Sequence, residues 1–239
     1  MALQTRDIDY HHADTLLSGY FAYDDGFPLP RPAVLISHAW GGRDEFVCGK
    51  ARHLAELGYA AFALDMYGKG VLGSGPEQNA QLMGPFMSDR GLLQARISAA
   101  LDTLRSLPEV DPGRIAAMGF CFGGLCVLDL ARTGADLRGV VSFHGLFIPP
   151  GNTAGRKVRA KVLVLHGYDD PMAPPEQVIA LGRELTEAEA DWQIHMYGHT
   201  LHAFTNPLAN DPAFGTVYDP AADRRSWQAM QNFLAEVLN

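Results

Sequence analysis

The stretch Arg114–Ala131 reads "RIAAMGFCFGGLCVLDLA" and contains an apolar run, a tight turn between glycines and an apolar segment with helical spacing. A strand that passes directly into a helix through so short a turn needs small residues at the crossing, because the two backbones approach closely. The stretch therefore predicts a strand over Ile115–Phe120, a turn at Cys121 and a helix that begins near Phe122.

Further apolar runs of strand length recur along the chain at Ala33 to Ser37, Tyr59 to Leu64, Val140 to Phe143 and Val162 to His166. Each is short enough for a strand that is buried on both faces. Segments with helical spacing lie between them. This alternation predicts one α/β domain over residues 1–239, with a mostly parallel central sheet flanked by helices on both faces. In such sheets ligands bind beyond the carboxyl ends of the strands.

Three segments depart from this alternation. The first ~30 residues resemble an antiparallel edge hairpin with Tyr23–Pro28, "YDDGFP", as its turn. Residues 67–85 and 206–220 are too long and too rich in glycine or proline for simple connections, and we expect irregular, lid-like loops near the carboxyl edge of the sheet. A tolerated surface insertion is the alternative for both loops.

Composition restricts the class of partner and the compartment. The net charge is −8 and no run of lysine and arginine occurs, which disfavours nucleic acid and anionic membranes and favours a small molecule. Three cysteines are an odd and sparse set, typical of reduced thiols rather than of a disulfide framework. The first residues lack the apolar stretch of a signal peptide, and no apolar run is long enough for a membrane span. We therefore expect a cytoplasmic protein.

Cys121 lies where a nucleophile elbow would hold its nucleophile, with Gly119 and Gly123 two positions away on either side. The amides and the dipole at the start of the following helix favour a thiolate there. The alternative is a buried cysteine between glycines that serve packing. Cys126, within the apolar helix, is predicted to be a core residue.

A thiol nucleophile in acyl transfer requires a base and a group that orients the base. In "VLVLHGYDDPMAPPEQV" a predicted strand leads into a turn with Asp169 and Asp170. Two adjacent carboxylates cannot both point at one imidazole, and the spacing from Gly167 and Pro174 favours Asp170. An Asx turn with no further role is the alternative.

The histidine should follow the acid in the chain order of an elbow fold. "IHMYGHTLHAFTNP" offers His195, which lies on a predicted strand, and also His199 and His202. The loop position of His202 makes it the preferred candidate, with His199 in reserve. No Cys, Asp or Glu lies at recognised ligand spacing from these histidines, so we predict no metal site.

Two backbone amides are candidates for an oxyanion hole. One is the amide of Phe122, directly after the nucleophile, and the other is the amide of Trp40 in "VLISHAWGGRDEF" after the first central strand. Glycines at 41 and 42 allow that loop to turn beneath the sheet edge. Trp40 could equally be a packing residue whose amide points elsewhere.

The motifs "GFCFGG", "HGYDDPMAP" and "HAF" together resemble the dienelactone hydrolase family of α/β-hydrolases, and the resemblance covers roughly residues 10 to 238. It implies the α/β-hydrolase fold and a hydrolase of small-molecule esters or lactones. It also implies a catalytic triad of Cys121, Asp170 and His202 that uses no cofactor.

The chain departs from the family pattern at two positions. Members that cleave dienelactone carry a glutamate where this chain has Ala39, so Glu45, His202 or the helix dipole would have to support the thiolate. Those members also carry an arginine where this chain has Asn206. We therefore predict that Arg90 and Asn206 bind the substrate, with Arg90 as the cation. Arg96 and Lys69 are further candidates for that cation.

Three functions remain open from sequence. The first is hydrolysis of esters or lactones through an acyl-enzyme, and the second is hydrolysis of activated phosphotriesters or arylesters by the same groups. The third, of another class, is a catalytically silent binding or thiol redox-sensing protein.

Overall fold

The computed structural model describes residues 2–239, and its centre is an eight-stranded sheet with the strand order β1-β2-β4-β3-β5-β6-β7-β8. Neighbouring strands from β4 to β8 pair in parallel, whereas β1 and β2 pair antiparallel. The mostly parallel sheet is therefore confirmed. The strands are β1 Leu3–His12, β2 Thr15–Asp24, β3 Arg31–Ser37, β4 Ala60–Ala63, β5 Val110–Phe120, β6 Gly139–Phe143, β7 Lys161–Gly167 and β8 Trp192–Tyr197.

Six helices occur within residues 2–239, and none of them is both long enough and apolar enough to cross a membrane. Apolar side chains of α1 and α6 pack on one face of the sheet, and those of α3, α4 and α5 pack on the other. Helices on both faces are thus confirmed. The helices are α1 Glu45–Glu56, α2 Pro76–Ser88, α3 Arg90–Arg105, α4 Phe122–Arg132, α5 Pro175–Glu187 and α6 Pro220–Leu238.

The amino-terminal hairpin forms, but its turn lies elsewhere than predicted. β1 and β2 are joined at Ala13 and Asp14, where Ala13 has a φ of 49°. Asp24 still pairs with Leu3, so the turn signal "YDDGFP" follows the hairpin rather than closing it. Of the two hairpin strands, only β1 lies at an edge of the sheet, because β2 also pairs with β4.

The prediction of an irregular loop over residues 67–85 is wrong for its second half, because α2 begins at Pro76. Proline at the first helical turn and Glu77 beside it are favourable at a helix start, whereas Gly84 and Pro85 are breaker signals inside the helix. Pro76 and Met83 nevertheless line the cavity that also holds Cys121.

Residues 206–220 are also more regular than expected. They contain the short antiparallel strands β9, Asn210–Asp211, and β10, Thr216–Val217. The N–H of His202 donates to the carbonyl of Gly215 at 2.9 Å, and the N–H of Val217 donates to the carbonyl of His202 at 3.1 Å. The segment therefore holds the backbone of His202 in place.

The passage from β5 into α4 depends on two glycines. A Cβ atom at Gly119 would lie 2.0 Å from the carbonyl oxygen of Gly123, and one at Gly123 would lie 2.2 Å from that of Ser37. Real Cβ atoms do not approach backbone oxygens so closely, so any larger residue would push α4 away from β3.

We expect Gly123→Ala to lower the free energy of unfolding by about 2 kcal/mol, because rigid backbone must move to accept the methyl group. For a chain of this length the melting temperature should fall by roughly 4–8 °C. Gly84→Ala in α2 is the control, since no atom lies within 4 Å of its Cβ position. Equal melting temperatures for the two variants would contradict the conclusion that α4 passes β3 too closely for a side chain at residue 123.

Candidate active site

Cys121 occupies the turn between β5 and α4 with a φ of 55° and a ψ of −117°. This positive φ is strained for a residue with a side chain, and it persists because the surrounding backbone holds it. The N–H of Cys121 donates to the carbonyl of Phe143 at 3.0 Å and lies 3.2 Å from Nδ1 of His144. The predicted strand, turn and helix are present, and the thiol is partly exposed at a cavity.

Asp170 and His202 meet in the interior beyond β7. Nδ1 of His202 lies 2.7 Å from Oδ2 of Asp170, and Oδ1 of Asp170 accepts from the N–H of Met172 at 2.8 Å. Both side chains are almost fully buried. Oδ2 of Asp169 instead lies 3.8 Å from Nδ1 of the exposed His199. The structure therefore brings Asp170 and His202 together and leaves Asp169 and His199 at the surface.

The imidazole of His202 is set up to carry a proton. Burial by itself lowers the pKa of His202, but the charge of Cys121 and the hydrogen bond to Asp170 raise it to about 10. Within residues 2–239, Nε2 of His202 is buried and hydrogen-bonds to no nitrogen or oxygen. The side chain that raises this pKa most is that of Cys121.

The two candidate oxyanion donors lie on either side of Cys121 in the fold. Phe122 is the first residue of α4, where helical N–H groups have no intrahelical acceptor. Trp40 follows β3 and lines the same cavity as Cys121. Its N–H donates to no protein acceptor within residues 2–239.

His38 fixes the peptide group that carries the Trp40 amide. The N–H of Met66 donates to Nε2 of His38 at 3.1 Å, which leaves the proton on Nδ1, and Nδ1 lies 2.6 Å from the carbonyl oxygen of Ala39. That carbonyl and the Trp40 N–H belong to one peptide plane and point in opposite directions. Tyr67 donates to the carbonyl of Trp40 at 2.9 Å. Burial lowers the pKa of His38, which keeps the ring neutral.

His144 contacts the site from β6, although sequence assigned it no role. Its Nδ1 is next to the Cys121 amide, its Nε2 lies 2.8 Å from Oγ1 of Thr205, and its ring centroid lies 5.1 Å from that of His202. Burial and the charge of His202 hold the pKa of His144 well below its usual range. His38 and His144 share one overlooked signal, a polar residue directly after a buried parallel strand.

His166, at the end of β7, packs behind the acid. Its Nε2 lies 2.8 Å from the carbonyl oxygen of Ala173 and 3.7 Å from Oδ2 of Asp170. Burial lowers the pKa of His166 despite the nearby carboxylate. The ring therefore supports the turn that holds Asp170.

The cavity over Cys121 has a volume of about 730 Å³ and a mainly apolar wall. Trp40 stacks on Phe214 with ring centroids 5.8 Å apart, and Phe46 and Phe120 add further aromatic surface. The charged side chains of the wall, apart from histidine, are Asp44 and Asp211. The remaining wall residues are Ala39, Pro76, Met83, His144, Leu146, Pro171, Met172, His202, Ala203, Thr205, Asn206, Ala209 and Thr216.

The prediction that Arg90 binds substrate is wrong, because its guanidinium is bound elsewhere. Nε and Nη2 of Arg90 donate to the two carboxylate oxygens of Asp129 at 2.7 and 2.6 Å, in the interior beside α4. Arg96 is likewise bound to the carbonyl of Met66, and Lys69 pairs with Asp9 at 2.5 Å. Of the predicted substrate contacts, Asn206 does line the cavity.

The carboxylate suggested from Glu45 does not reach Cys121. Glu45 is exposed on α1 and pairs with Arg52. Asp44, one residue earlier, is the carboxylate at the cavity wall, where its Oδ1 accepts from the N–H of Val47 at 3.3 Å and caps α1. No group of three or more His, Cys, Asp or Glu side chains in the described chain is arranged to hold a metal ion.

Comparison with known proteins matches almost the whole chain to one family. The model of the dienelactone hydrolase family matches residues 17–238. The crystal structure of a dienelactone hydrolase-like promiscuous phosphotriesterase from metagenomic libraries is 39% identical, covers 100% of both chains and superposes with a TM-score of 0.94.

Two curated relatives extend the comparison. An uncharacterized protein of Caenorhabditis elegans is 39% identical over 153 residues, which is 62% of this chain and 97% of the relative. A putative carboxymethylenebutenolidase of Yersinia pestis is 26% identical over 234 residues, 92% of this chain and 84% of the relative. The chain therefore belongs to the dienelactone hydrolase family of α/β-hydrolases.

Proposed function

We propose that the protein hydrolyses carboxylic esters or lactones without a cofactor, through an acyl-enzyme on Cys121. The observation that carries the proposal is the 2.7 Å contact between Asp170 and His202 beside a strained, cavity-facing cysteine. A nucleophile, a base and a group that orients the base are the three parts that acyl transfer requires. Membership of a hydrolase family favours ester hydrolysis over the alternative of a catalytically silent binding or thiol redox-sensing protein.

Acylation begins when the thiolate of Cys121 attacks the carbonyl carbon of the ester. The carbonyl electron pair moves onto oxygen, and the N–H groups of Phe122 and Trp40 stabilise the resulting oxyanion. When the oxyanion collapses, the bond to the alcohol oxygen breaks and His202 donates its proton to that oxygen. The products are an alcohol and a thioester on Cys121.

Deacylation reverses the proton movement. Neutral His202 takes a proton from water, the resulting hydroxide adds to the thioester carbonyl, and the carbon–sulfur bond breaks. The electron pair returns to the sulfur of Cys121, His202 is again protonated, and the acid product leaves. Asp170 orients the imidazole of His202 and stabilises its positive charge during both acylation and deacylation.

Cys121→Ala should lower kcat/KM for a 4-nitrophenyl carboxylic ester by at least ~1000-fold, because loss of a nucleophile removes the covalent route. Release of 4-nitrophenol provides the measurement. Cys48→Ala is the control, since Cys48 is a buried free thiol that does not line the cavity. Turnover by Cys121→Ala at the wild-type rate would exclude Cys121 as the nucleophile.

Phosphotriester hydrolysis is the second candidate function. The relative that is 39% identical over its full length is itself described as a promiscuous phosphotriesterase, and the same thiolate and amides could receive a phosphoryl group. The test repeats the Cys121→Ala comparison with a dialkyl 4-nitrophenyl phosphate. Release of 4-nitrophenol by the wild type but not by Cys121→Ala would support this activity. If the wild type releases less than one equivalent per protein molecule, phosphotriester hydrolysis is excluded.

Alkylation by iodoacetamide should depend little on pH between 6 and 8. An isolated thiol with a pKa of about 8.5 would react on the order of 80-fold faster at pH 8 than at pH 6. We expect the weak dependence because the charge of Cys121 and the hydrogen bond to Asp170 raise the pKa of His202 to about 10, so a protonated imidazole can stabilise negative charge on the adjacent sulfur throughout this window. Asp170→Asn should make the rate of alkylation rise steeply with pH, as for an isolated thiol. Alkylation of Cys121→Ala gives the background rate from the other two cysteines. A steep wild-type profile would contradict the ion pair.

A further inference from the structure

The wall of the cavity carries two carboxylates and, apart from the imidazole of His202 beside the thiol, no cationic side chain. Among its lining residues Asp44 and Asp211 are ionisable acids, and none is lysine or arginine. Oδ1 of Asp44 accepts from the N–H of Val47, and Oδ1 of Asp211 accepts from the N–H of Phe214 at 3.0 Å. The other oxygen of each carboxylate has no hydrogen-bond donor within residues 2–239, so each can face a bound molecule.

The cations nearest to this wall in sequence are engaged elsewhere. Arg43, adjacent to Asp44, pairs with Asp7 of β1 at 3.2 Å. Lys50 lies with its ammonium 5.1 Å from the ring centroid of Phe46, does not line the cavity, and has a pKa that burial lowers although Asp223 raises it. A carboxylate on a substrate would therefore lose water without meeting a positive partner.

The reacting groups add no stable positive charge for a second anion. His144 stays neutral because burial and His202 lower its pKa. His202 is buried, its Nδ1 contacts Asp170, and its proton is needed by the leaving group in the proposed reaction, so its charge is balanced within the reacting groups. The stacked rings of Trp40 and Phe214 instead offer an aromatic face, which attracts aryl groups and cations.

We propose that this cavity selects esters that are uncharged or carry a cationic group and rejects esters that carry a carboxylate, with Asp44 as a specificity-determining residue. The inference rests on the proposed ester hydrolysis at Cys121. Asp44 is placed to act because it caps α1 at the wall of the cavity that also holds the proposed nucleophile. Asp211 adds a second negative charge from β9.

The test compares three 4-nitrophenyl esters of similar shape. They are the esters of 4-(trimethylammonio)butanoic acid, of its uncharged carbon isostere 5,5-dimethylhexanoic acid, and the monoester of adipic acid. For the wild type we expect kcat/KM for the cationic ester to exceed that for the adipate monoester by at least ~10-fold. Added salt should narrow this ratio, because exposed charges are screened.

Asp44→Asn should reduce the cationic-to-anionic ratio by about twofold to fivefold, as expected for one exposed charge. Asparagine caps a helix as well as aspartate does, so α1 is retained. Asp89→Asn is the matched control, because Asp89 caps α3 through the N–H of Leu92 at 2.9 Å and does not line the cavity. The control should leave the ratio at its wild-type value.

Two failures are distinguishable. If the uncharged ester is hydrolysed in a Cys121-dependent way but the adipate monoester reacts equally fast, the charge preference is overturned and the proposed function stands. The same holds if Asp44→Asn and Asp89→Asn give identical ratios. If Cys121→Ala hydrolyses the uncharged ester as fast as the wild type, the proposed function fails and this inference fails with it.

Discussion

A Cβ atom at residue 123 would lie 2.2 Å from the carbonyl oxygen of Ser37, so the first turn of α4 passes the end of β3 at backbone contact distance. This contact fixes the relative position of two chain segments that are far apart in sequence. One carries Cys121 and the amide of Phe122, and the other carries the amide of Trp40. The strained φ of Cys121 is maintained because neither segment can move away without losing the packing of the sheet.

Three buried histidines, at the end of a strand or directly after one, determine the electrostatics at this edge of the sheet. Burial lowers the pKa values of His38, His144 and His166, so these rings act as neutral hydrogen-bonding groups that hold the Trp40 peptide, the Cys121 amide and the Asp170 turn. His202 is the exception, because Cys121 and Asp170 raise its pKa. The positive charge is thereby confined to the imidazole beside the thiol.

Sequence predicts the parts of the site that depend on local spacing. The glycines around Cys121, and the position of Asp170 after a buried strand, follow from backbone rules that act over a few residues. His38 and Asp44 were missed because their roles depend on contacts across the sheet edge. Arg90 was misassigned for the same reason, since its partner Asp129 lies on another helix. The helix α2 was not predicted because Gly84 and Pro85, which disfavour helices, lie within it; tertiary packing stabilises it.

Acylation of Cys121 would change the mass of the protein during the first turnover, and this change can be measured directly. Wild-type protein should be mixed rapidly with excess 4-nitrophenyl ester, quenched in acid and digested. The peptide with Cys121 should gain the mass of the acyl group as one equivalent of 4-nitrophenol is released. Release of that equivalent without the adduct, or with the adduct on another residue, would show that Cys121 is not the nucleophile.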